Sequence, residues 1–407
     1  MLPLRIGDFA PAAPVVLAPM AGVTNAPFRA MCRDYGPGLV YVNEMVMATA
    51  VVHGNAKTRQ MMAFGPDESP RSLQVYGSDP TMLGRAVHHV CDAGLVDHID
   101  LNFGCPAHKV TRKGGGAAVP AKPRLLEAIV RAAVDAAAPY GVPVTAKFRM
   151  GLWDDLRTDV VTGRICAAAG ITWIALHART AEQHYAGAAR WDAIGELKAA
   201  VPDIPVLGNG DIWEAADAVA MMRHTGCDGV VIGRGCLGRP WLFGDLVDVL
   251  GAGERHGSAP APRRLGEVAA AMRRHAGRLV EHYQANGTEV LDERRQRSGA
   301  RYARRAAPLT PEACALRDFR KHTGWYLSGY PVGGEMRGRF AKVSSLAELD
   351  DLLAPLDPAL ELVPGGERIK RGHTNGPVKV TLPDGYLDDP DEFVIPADDD
   401  VMALSGG

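Results

Sequence analysis

Short apolar runs rich in Val, Ile and Leu recur through the first 235 residues and alternate with segments of helical periodicity. The runs cover residues 15–20, 39–45, 72–77, 98–104, 143–150, 172–179, 204–211 and 229–235. Between two of them, Asp79-Pro80 opens a segment that ends at Gly94 and carries one apolar face: Leu83, Val87, Val90 and Cys91. This is the pattern of an amphipathic helix. Eight strand–helix repeats predict an α/β fold, a parallel (β/α)8 TIM barrel over residues 1–250.

The pattern changes after residue 250. Residues 251–263 are rich in Gly, Ala and Pro and predict a linker. Residues 264–356 regain helical periodicity, with Met272, Ala276 and Leu279 on one face and arginines on another, which predicts a small all-α helical domain. Within it, the Arg-rich stretch 286–311 predicts a basic insertion. Residues 357–407 end in PADDD and GG and predict an acidic, weakly ordered tail.

The charge of the chain is unevenly distributed. The net charge is -2, yet residues 263–342 hold 17 Lys/Arg against 8 Asp/Glu, which is +9, and residues 343–407 hold 4 against 14, which is -10. A basic region therefore lies between a nearly neutral barrel and an acidic tail, which favours an anionic partner for the basic region.

Composition narrows the class of protein. Hydrophobic residues make up 47% and charged residues 23%, as in folded globular proteins. The uncharged stretch near the start, residues 9–28, is interrupted by prolines, which excludes a membrane helix or a signal peptide there, so we expect a cytoplasmic protein. The seven cysteines form no CxxC pair and no zinc spacing, so neither disulfides nor a metal site is expected.

Polar or glycine residues stand at the ends of nearly all the predicted strands. They are Glu44, Gln74, Asn102, Lys147, His177, Asn209 and Gly233-Arg234. The active sites of such barrels lie at the C-terminal ends of the strands. We therefore expect these side chains to converge on one cavity.

The last two predicted strands end in glycine loops, Gly208–Asp211 with the sequence GNGD and Gly233–Gly235 with the sequence GRG. Glycines let backbone N–H groups approach an anion, Arg234 adds a permanent charge, and His177 on the preceding strand lies within reach. Either motif alone is equally a tight turn. Together, on adjacent strands, they predict a site for a phosphate-bearing ligand.

Gln74 and Lys147 are predicted across the barrel mouth from these loops. Gln offers a donor and an acceptor to the edge of a flavin ring, and Lys stabilises negative charge on the reduced ring. Gln74 alone is also consistent with a polar residue that merely lines the barrel. The combination favours flavin mononucleotide (FMN), and no GxGxxG follows a strand, which argues against a Rossmann dinucleotide site.

Cys105 is predicted on the loop after the fourth strand, at the rim of the same mouth, between Gly104 and Pro106. A thiol with an ordinary pKa of about 8.5 is mostly protonated at neutral pH and can donate a proton. Lys109 and other basic residues follow, as does the run 114–116 of three glycines, which suits phosphate contacts or a solvated surface loop equally.

A family resemblance rests on motifs spread over about 240 residues. They are APMAGVTNAPFR (18–29), NEM (43–45), QVYG (74–77), DLNFGCPAHKVTRKGGGAAV (100–119), KFRMG (147–151), HARTAEQHYAG (177–187), GNGDI (208–212), IGRG (232–235) and FRKHTGWYLSGYPVGGEMRGRFAKVSS (319–345). This pattern resembles the tRNA-dihydrouridine synthases, most nearly the bacterial B-type branch. The resemblance implies an FMN barrel with a helical tRNA-binding domain that uses NADPH, or NADH, to reduce a tRNA uridine.

The resemblance also implies roles for individual residues. Cys105 becomes the general acid that protonates uracil C5 after hydride reaches C6. The FMN site comprises Pro19, Met20, Ala21, Gln74, Lys147, His177, Asn209, Gly210, Asp211, Gly233 and Arg234. Asn102 and Arg179 hold the uracil. From the charge of their surroundings, rather than from the resemblance, we expect Lys109, Arg317, Arg320 and Lys321 to contact tRNA. The resemblance implies no protein partner and no membrane. The insertion and the acidic tail have no counterpart in this pattern, and their roles stay open.

Three other functions compete with this one. An FMN barrel that reduces a free pyrimidine or an enone shares the cavity but has no need of a helical region with a charge of +9. A non-redox phosphate-binding barrel, such as a lyase, would bind no flavin. A non-catalytic RNA-binding protein on a degenerate barrel leaves Cys105, Lys147 and the two phosphate loops unexplained.

Overall fold

The computed structural model describes residues 1–251, 262–288, 309–372 and 374–391. Its strands, in chain order, are β1 (Val15–Leu17), β2 (Val40–Tyr41), β3 (Val46–Met47), β4 (Ser72–Tyr76), β5 (His98–Phe103), β6 (Val144–Arg149), β7 (Gly151–Trp153), β8 (Leu156–Arg157), β9 (Ile174–His177), β10 (Val206–Asn209) and β11 (Gly229–Ile232). Strands β7 and β8 form a separate antiparallel hairpin, and the other nine form one parallel sheet. Each of the eight predicted apolar runs contains strand residues of this sheet.

The sheet closes into a barrel. Its strand order is β2-β1-β11-β10-β9-β6-β5-β4-β3. Strand β2 lies within the predicted run 39–45 and β3 directly follows that run. A parallel bridge from Val42 to Ser72 joins the run to β4. The run therefore contacts β1 on one side and β4 on the other, which closes the ring. The prediction of a TIM-barrel α/β fold is confirmed.

Helices follow most barrel strands. The helices are α1 (Ala26–Tyr35), α2 (Ala48–His53), α3 (Ala56–Met61), α4 (Pro80–Asp92), α5 (His108–Thr111), α6 (Pro123–Ala137), α7 (Asp159–Ala168), α8 (Asp192–Ala200), α9 (Ala215–Thr225), α10 (Leu242–Leu250), α11 (Leu265–Asn286), α12 (Pro311–Tyr326), α13 (Gly334–Phe340) and α14 (Leu346–Leu353). Helix α4 begins where Asp79 caps it by accepting from the N–H groups of Thr81 and Met82. Among the described residues, no helix is long and apolar enough to cross a bilayer.

Strand alternation separates two environments. Residues such as Val15, Leu73 and Ile174 point outward and pack against the helices in the main core. The inward residues of β1, β2 and β9–β11 are apolar near the bottom of the barrel, for example Val16 and Leu207. The inward residues of β4–β6 are polar and buried: Gln74, His98, Asp100 and Thr145. The barrel interior thus has an apolar half and a polar half.

Helices α11 to α14 form a second core that packs on the barrel through Met31 of α1 and Trp241. They lie inside the range 264–356 predicted for a helical domain. Most of the predicted linker and of the insertion 286–311 lies outside the described residues. Within the predicted tail, residues 357–372 and 374–391 pack on the helical region and back onto the barrel. Residues 392–407 lie outside the described part.

Candidate active site

A cavity of about 960 Å³ opens at the C-terminal ends of the barrel strands and extends to the helical region. Its wall includes these predicted site residues: Pro19, Met20, Ala21, Gln74, Asn102, Cys105, Lys109, Lys147, His177, Asn209, Gly210, Asp211, Gly233, Arg234 and Lys321. Arg179, Arg317 and Arg320 do not line it. The structure therefore brings the two glycine loops, Gln74, Lys147 and Cys105 to one mouth, as the strand endings predicted.

A chain of hydrogen bonds crosses the polar half of the barrel and ends at the Cys105 loop. The Thr145 hydroxyl donates to Asp100 Oδ1 at 2.7 Å, and Gln74 Nε2 donates to Asp100 Oδ2 at 2.7 Å. Asn102 Nδ2 then donates to Gln74 Oε1 at 2.7 Å. Because Asp100 accepts both of its bonds, it fixes the orientation of the Gln74 amide, and the Gln74 carbonyl fixes that of Asn102.

The side-chain amide of Asn102 is bonded to other groups of the protein. Its Oδ1 accepts from the backbone N–H groups of Gly104 at 3.0 Å and Cys105 at 2.9 Å. Its Nδ2 lies 3.3 Å from the Met45 sulfur in addition to its bond with Gln74. Asn102 therefore holds the loop that carries the cysteine, a role that the sequence did not indicate. The expected contact of Asn102 with a uracil stays a prediction.

The Cys105 thiol is half-buried, and the other six cysteines are buried. Burial raises the pKa of Cys105 above its ordinary value, against the opposing effects of the Ala107 N–H and of the nearby charges of Arg149 and Lys109. The thiol is therefore protonated at neutral pH. A protonated thiol at the rim of a cavity suits a proton donor better than a nucleophile.

Lys147 lies on β6 and faces the cavity. Burial, followed by repulsion from Arg149, lowers its pKa to about 8. Arg149, two residues further along the same strand, is itself buried and donates to the carbonyl oxygens of Gly104 at 2.9 Å and Thr180 at 2.9 Å. Arg149 thus binds a carbonyl of the Cys105 loop, whereas Asn102 binds its N–H groups. Arg149 was not among the predicted site residues, although its place two residues after Lys147 was a signal that it faces inward.

The glycine loops meet around Arg234. Its guanidinium lies over the Tyr185 ring at 4.2 Å and faces the Trp213 ring at 5.4 Å, both measured to the ring centroid. Two aromatic faces orient the arginine by cation–π contact. Asn209 Nδ2 donates to the Val231 carbonyl at 2.7 Å and so ties the two loops together. Tyr185 and Trp213 were not predicted, because nothing in the local pattern distinguishes them from core aromatics.

Positive charge dominates this part of the cavity. The pKa of His177 lies well below its ordinary value because of burial and, after burial, of the charges on Arg149, Lys147, Arg179 and Arg234. His177 is therefore neutral at pH 7, so it can donate one hydrogen bond and accept another. Several cations around one buried neutral histidine form a site that attracts an anion.

Asp211, in the first glycine loop, forms an ion pair with Arg179. Arg179 is fully buried, and its Nη2 donates to both carboxylate oxygens of Asp211, at 2.8 and 2.7 Å, and to the Gly187 carbonyl at 2.8 Å. The Ala189 N–H also donates to Asp211 at 2.7 Å. Arg179 and Asp211 thus form an ion pair that shapes the loop, while Asp211 also lines the cavity. The expected contacts of Arg179 with uracil and of Asp211 with FMN stay predictions. A free carboxylate beside a phosphate would repel it.

The three predicted tRNA contacts on α12 differ in their surroundings. The Lys321 ammonium contacts Asp318 and the Gly22 carbonyl, so it ties the helical region to the loop after β1. Arg320 donates to the carbonyls of Val343 and Lys342 at 2.8 Å each. Arg317 is exposed. Of the three side chains, only that of Arg317 is exposed and makes no hydrogen bond to a carboxylate or a backbone carbonyl within the described residues.

Comparisons with known proteins agree with the class of protein that the fold and the cavity indicate. The fold and the cavity define an α/β barrel with a large cavity at the C-terminal ends of its strands and cationic side chains along one wall. The family model described as Dihydrouridine synthase (Dus) matches residues 16–307, and the chain belongs to this family. Within the described residues, no group of three or more His, Cys, Asp and Glu is arranged to hold a metal ion.

Relatives agree with this assignment along most of the chain. A "Probable tRNA-dihydrouridine synthase" of Mycobacterium leprae is 48% identical over 416 residues, which cover 96% of this chain and 100% of the relative. The "tRNA-dihydrouridine synthase B" of Pseudomonas aeruginosa is 37% identical over 341 residues, 84% of this chain and 91% of the relative. The expected resemblance to the B-type branch is confirmed. Among solved structures, a histamine dehydrogenase from Rhizobium sp. 4-9 aligns with a TM-score of 0.45 at 12% identity, over 68% of this chain and 50% of that chain.

Proposed function

We propose that this protein reduces a uridine of tRNA to 5,6-dihydrouridine, with FMN as its resident cofactor and NADPH, or NADH, as the reductant. One observation carries the proposal: a single cavity holds a protonated cysteine, a flavin-compatible pair in Gln74 and Lys147, and an anion-binding wall around Arg234. Each group alone has other uses. Their arrangement around one mouth, in a member of the dihydrouridine synthase family, matches one reaction.

The residues present fit FMN. A volume of about 960 Å³ lies at the upper end of ordinary ligand cavities and leaves room for a second ring beside a flavin. The cluster of cations that lowers the pKa of His177 calls for an anion such as a phosphate ester. In our proposal the phosphate end lies against His177, Asn209, Gly210, Gly233 and Arg234, the ring against Gln74 and Lys147, and residues 19–21 cover it.

The chain's own residues supply the proton chemistry. Bound FMN would supply the hydride that uracil C6 accepts, after oxidising the nicotinamide in a separate half-reaction. Cys105 then gives its thiol proton to C5, and the resulting thiolate regains a proton from solvent, so the uracil gains one hydride and one proton. Asn102 and Arg149 keep the cysteine loop in place through the Gly104 and Cys105 backbone. Lys147 carries a proton below a pH of about 8 and can offset negative charge in the cavity.

The helical region favours tRNA over a free nucleotide. The cavity continues between the barrel and the helical region, where Lys57, Gln60, His282 and Tyr283 line its outer part. A free pyrimidine needs no such second wall. A uracil buried in folded RNA must be swung out at a cost of a few kcal/mol, which phosphate contacts from a region of net charge +9 can offset.

The test compares Cys105→Ala with Cys91→Ala, a buried thiol on α4 outside the cavity lining. With tRNA that lacks dihydrouridine, mass spectrometry of the digested RNA should show wild-type product from Cys91→Ala and a rate lower by roughly 10² to 10⁴ from Cys105→Ala. Both variants should retain FMN and its reduction by NADPH. Equal rates for Cys105→Ala and wild type between pH 6 and 8 would show that another group is the acid.

Two further measurements separate this function from its competitors. Free uridine and its monophosphate should be reduced far more slowly than tRNA, because they cannot use the helical region. Acid extraction should release FMN from the wild-type protein and much less from Arg234→Ala. A protein that binds no flavin even after incubation with FMN would support the non-redox barrel instead.

A further inference from the structure

Part of the C-terminal segment that the sequence predicted as an acidic, weakly ordered tail packs against loops of the barrel next to the cavity. We call residues 374–391 the strap. Upstream of it, Arg371 is buried and donates to the carbonyls of Gly366 and Trp325, and Gly372 lines the cavity. The strap then leaves the helical region and lies against two loops of the barrel.

The first contact is with the loop that carries Tyr185. The Asn375 carbonyl accepts from the Tyr185 N–H at 3.3 Å and lies 3.0 Å from His184 Nδ1. The Val378 N–H donates to the Glu182 carbonyl at 2.8 Å. A Cβ on Gly376 would lie 2.4 Å from the Gln183 carbonyl oxygen, so the close approach of the two backbones requires glycine there. The strap is thus paired by its backbone to the loop whose tyrosine stacks on Arg234.

The second contact is a buried tyrosine beneath the loop that follows Cys105. Tyr386 is only 8% exposed and packs with Ala117, Ala118 and Leu152. Its hydroxyl lies 3.2 Å from the Gly114 carbonyl and 3.3 Å from the Ala118 carbonyl. A Cβ on Gly114 would lie 2.8 Å from the Tyr386 ring, so the ring fills all the space under this turn.

The loop beneath which Tyr386 packs is directly bonded to the cysteine. The Ala117 N–H donates to the Cys105 carbonyl at 3.0 Å. Gly116 has φ of +56°, and a Cβ on it would lie 2.6 Å from the Cys105 carbonyl oxygen. Residues 114–118 therefore form the underside of the Cys105 turn, and any movement that Tyr386 prevents there would displace the thiol.

The strap is also held by charge and by apolar contact on both sides of Tyr386. Lys122 is buried and donates to the Asp389 carbonyl at 3.0 Å, and its ammonium lies 5.0 Å from the centre of the Tyr386 ring. Val380, Leu382 and Leu387 pack against the same small cluster. A terminus that served only to screen the basic region would have no need of these anchors.

We propose that the strap positions the general acid, and that Tyr386 is the positioning residue that acts on Cys105 through the turn 114–118. This inference rests on the proposed function for the role of Cys105. Its physical basis is that proton transfer needs donor and acceptor aligned to within about 1 Å, and a displacement of that size lowers a rate by up to roughly 10²-fold. Tyr386 does not line the cavity.

The test compares Tyr386→Ala with Tyr386→Phe and with Val378→Ala, which truncates a side chain of the same strap that is 45% exposed. Tyr386→Ala should lower kcat for uridine reduction by about tenfold or more, with little change in the KM for tRNA, in FMN content or in flavin reduction by NADPH. Tyr386→Phe keeps the ring and should recover most of the rate. Val378→Ala should match wild type.

A second readout does not depend on uridine reduction. Iodoacetamide labelling followed by peptide mass spectrometry should modify Cys105 several-fold faster in Tyr386→Ala than in wild type, because a loosened turn exposes the thiol, while the six buried cysteines label slowly in both. Should Tyr386→Ala not fold, Tyr386→Leu replaces it in both measurements.

The outcomes separate the two proposals. If wild type reduces uridine and Tyr386→Ala changes neither kcat nor labelling, the strap is not a positioning element and the proposed function stands. If wild type reduces no tRNA uridine, the proposed function fails, and unchanged labelling in Tyr386→Ala would overturn the positioning inference independently. A loss of activity that Tyr386→Phe does not recover would assign the effect to the hydroxyl bonds rather than to the ring and would contradict the argument from packing.

Discussion

Beneath the glycine loops the barrel interior is filled by Val16, Ala18, Leu207 and Val231, whereas beneath Cys105 it is filled by Asp100, Gln74, His98 and Thr145. Both fillings are buried and both support one side of the same cavity. The apolar half supports the glycine loops, whose N–H groups are directed by the course of the backbone alone. The polar half supports side chains whose amides and thiol must point in particular directions.

The difference reflects what each wall of the cavity has to do. A phosphate is recognised by backbone N–H groups and charge, so close packing below the loops is sufficient. Proton transfer requires that donor and acceptor groups point in fixed directions, and a chain of hydrogen bonds fixes them. Such a chain has a cost, because any buried polar group left without a partner lowers the stability of the fold. We therefore expect damage to the polar half to reduce activity first, and damage to the apolar half to reduce stability first.

Among changes to the residues that fill the two halves, Asp100→Ala should have the largest effect on catalysis. Without this carboxylate, Gln74 Nε2 and the Thr145 hydroxyl lose their acceptor, and the Gln74 amide can turn over, which would release Asn102 and the Cys105 loop. We expect uridine reduction to fall by about 10²-fold, measured as dihydrouridine formed per enzyme, with FMN still bound. Activity within a few-fold of wild type would mean that the chain of bonds does not orient the loop.

Leu207→Ala should show the opposite balance. Leu207 is fully buried in the apolar half, and its truncation should lower the free energy of unfolding by roughly 2 to 5 kcal/mol. Urea unfolding measures this change. FMN content and uridine reduction by the folded protein should stay near wild type, because the loops above bind through backbone and Arg234. A variant that is stable but inactive would contradict the division between the two halves.

The pH dependence of stability tests the burial of Asp100 directly. Burial raises the pKa of this carboxyl from 3.8 to about 6. Because the folded state then binds more protons than the unfolded state between these values, the free energy of unfolding should fall as the pH rises from about 4 to about 6, by up to about 1.4 kcal/mol per pH unit from this group. Asp100→Asn should remove that contribution.

The free energy of unfolding is compared between wild type and Asp100→Asn at each pH, because the other titrating groups are the same in both proteins. The difference in unfolding free energy between wild type and Asp100→Asn should change across pH 4 to 6 and level off above. A constant difference would show that Asp100 keeps an ordinary pKa and that its surroundings admit water.

The sequence predicted the barrel and the position of its mouth because both follow from local pattern. Repeated apolar runs define the strands, and strand ends such as Gln74, Lys147 and Asn209 must meet at one edge of a parallel barrel. The family resemblance added the role of Cys105. Arg149 was within reach of the same reasoning, since residues two apart on a strand share a face.

What the sequence did not predict depends on contacts between distant segments. The pairing of Arg179 with Asp211 spans 32 residues, and that of Tyr386 with Gly114 spans 272. Periodicity reports which face of an element is buried, but not which partner meets it. Acidic composition predicted a weakly ordered tail, and that prediction gave no weight to the few apolar residues by which the strap is attached, Val380, Leu382 and Tyr386.

The smallest expected effect concerns the surface of α12, where the structure separates two arginines that the sequence treated alike. Arg320 bonds two backbone carbonyls, so Arg320→Ala should lower the stability of the helical region as well as any RNA affinity. Arg317 is exposed, so Arg317→Ala should leave unfolding unchanged.

If Arg317 neutralises one phosphate, its loss should weaken tRNA binding by only a few-fold and reduce the log–log salt slope by about 0.7 to 0.9. Filter binding across a series of salt concentrations measures both quantities, with thermal unfolding as the check on folding. A change in affinity with no change in slope would place the interaction with a base or sugar rather than a phosphate. No change in either would move the RNA-binding surface away from this face of α12, toward the residues that line the outer cavity.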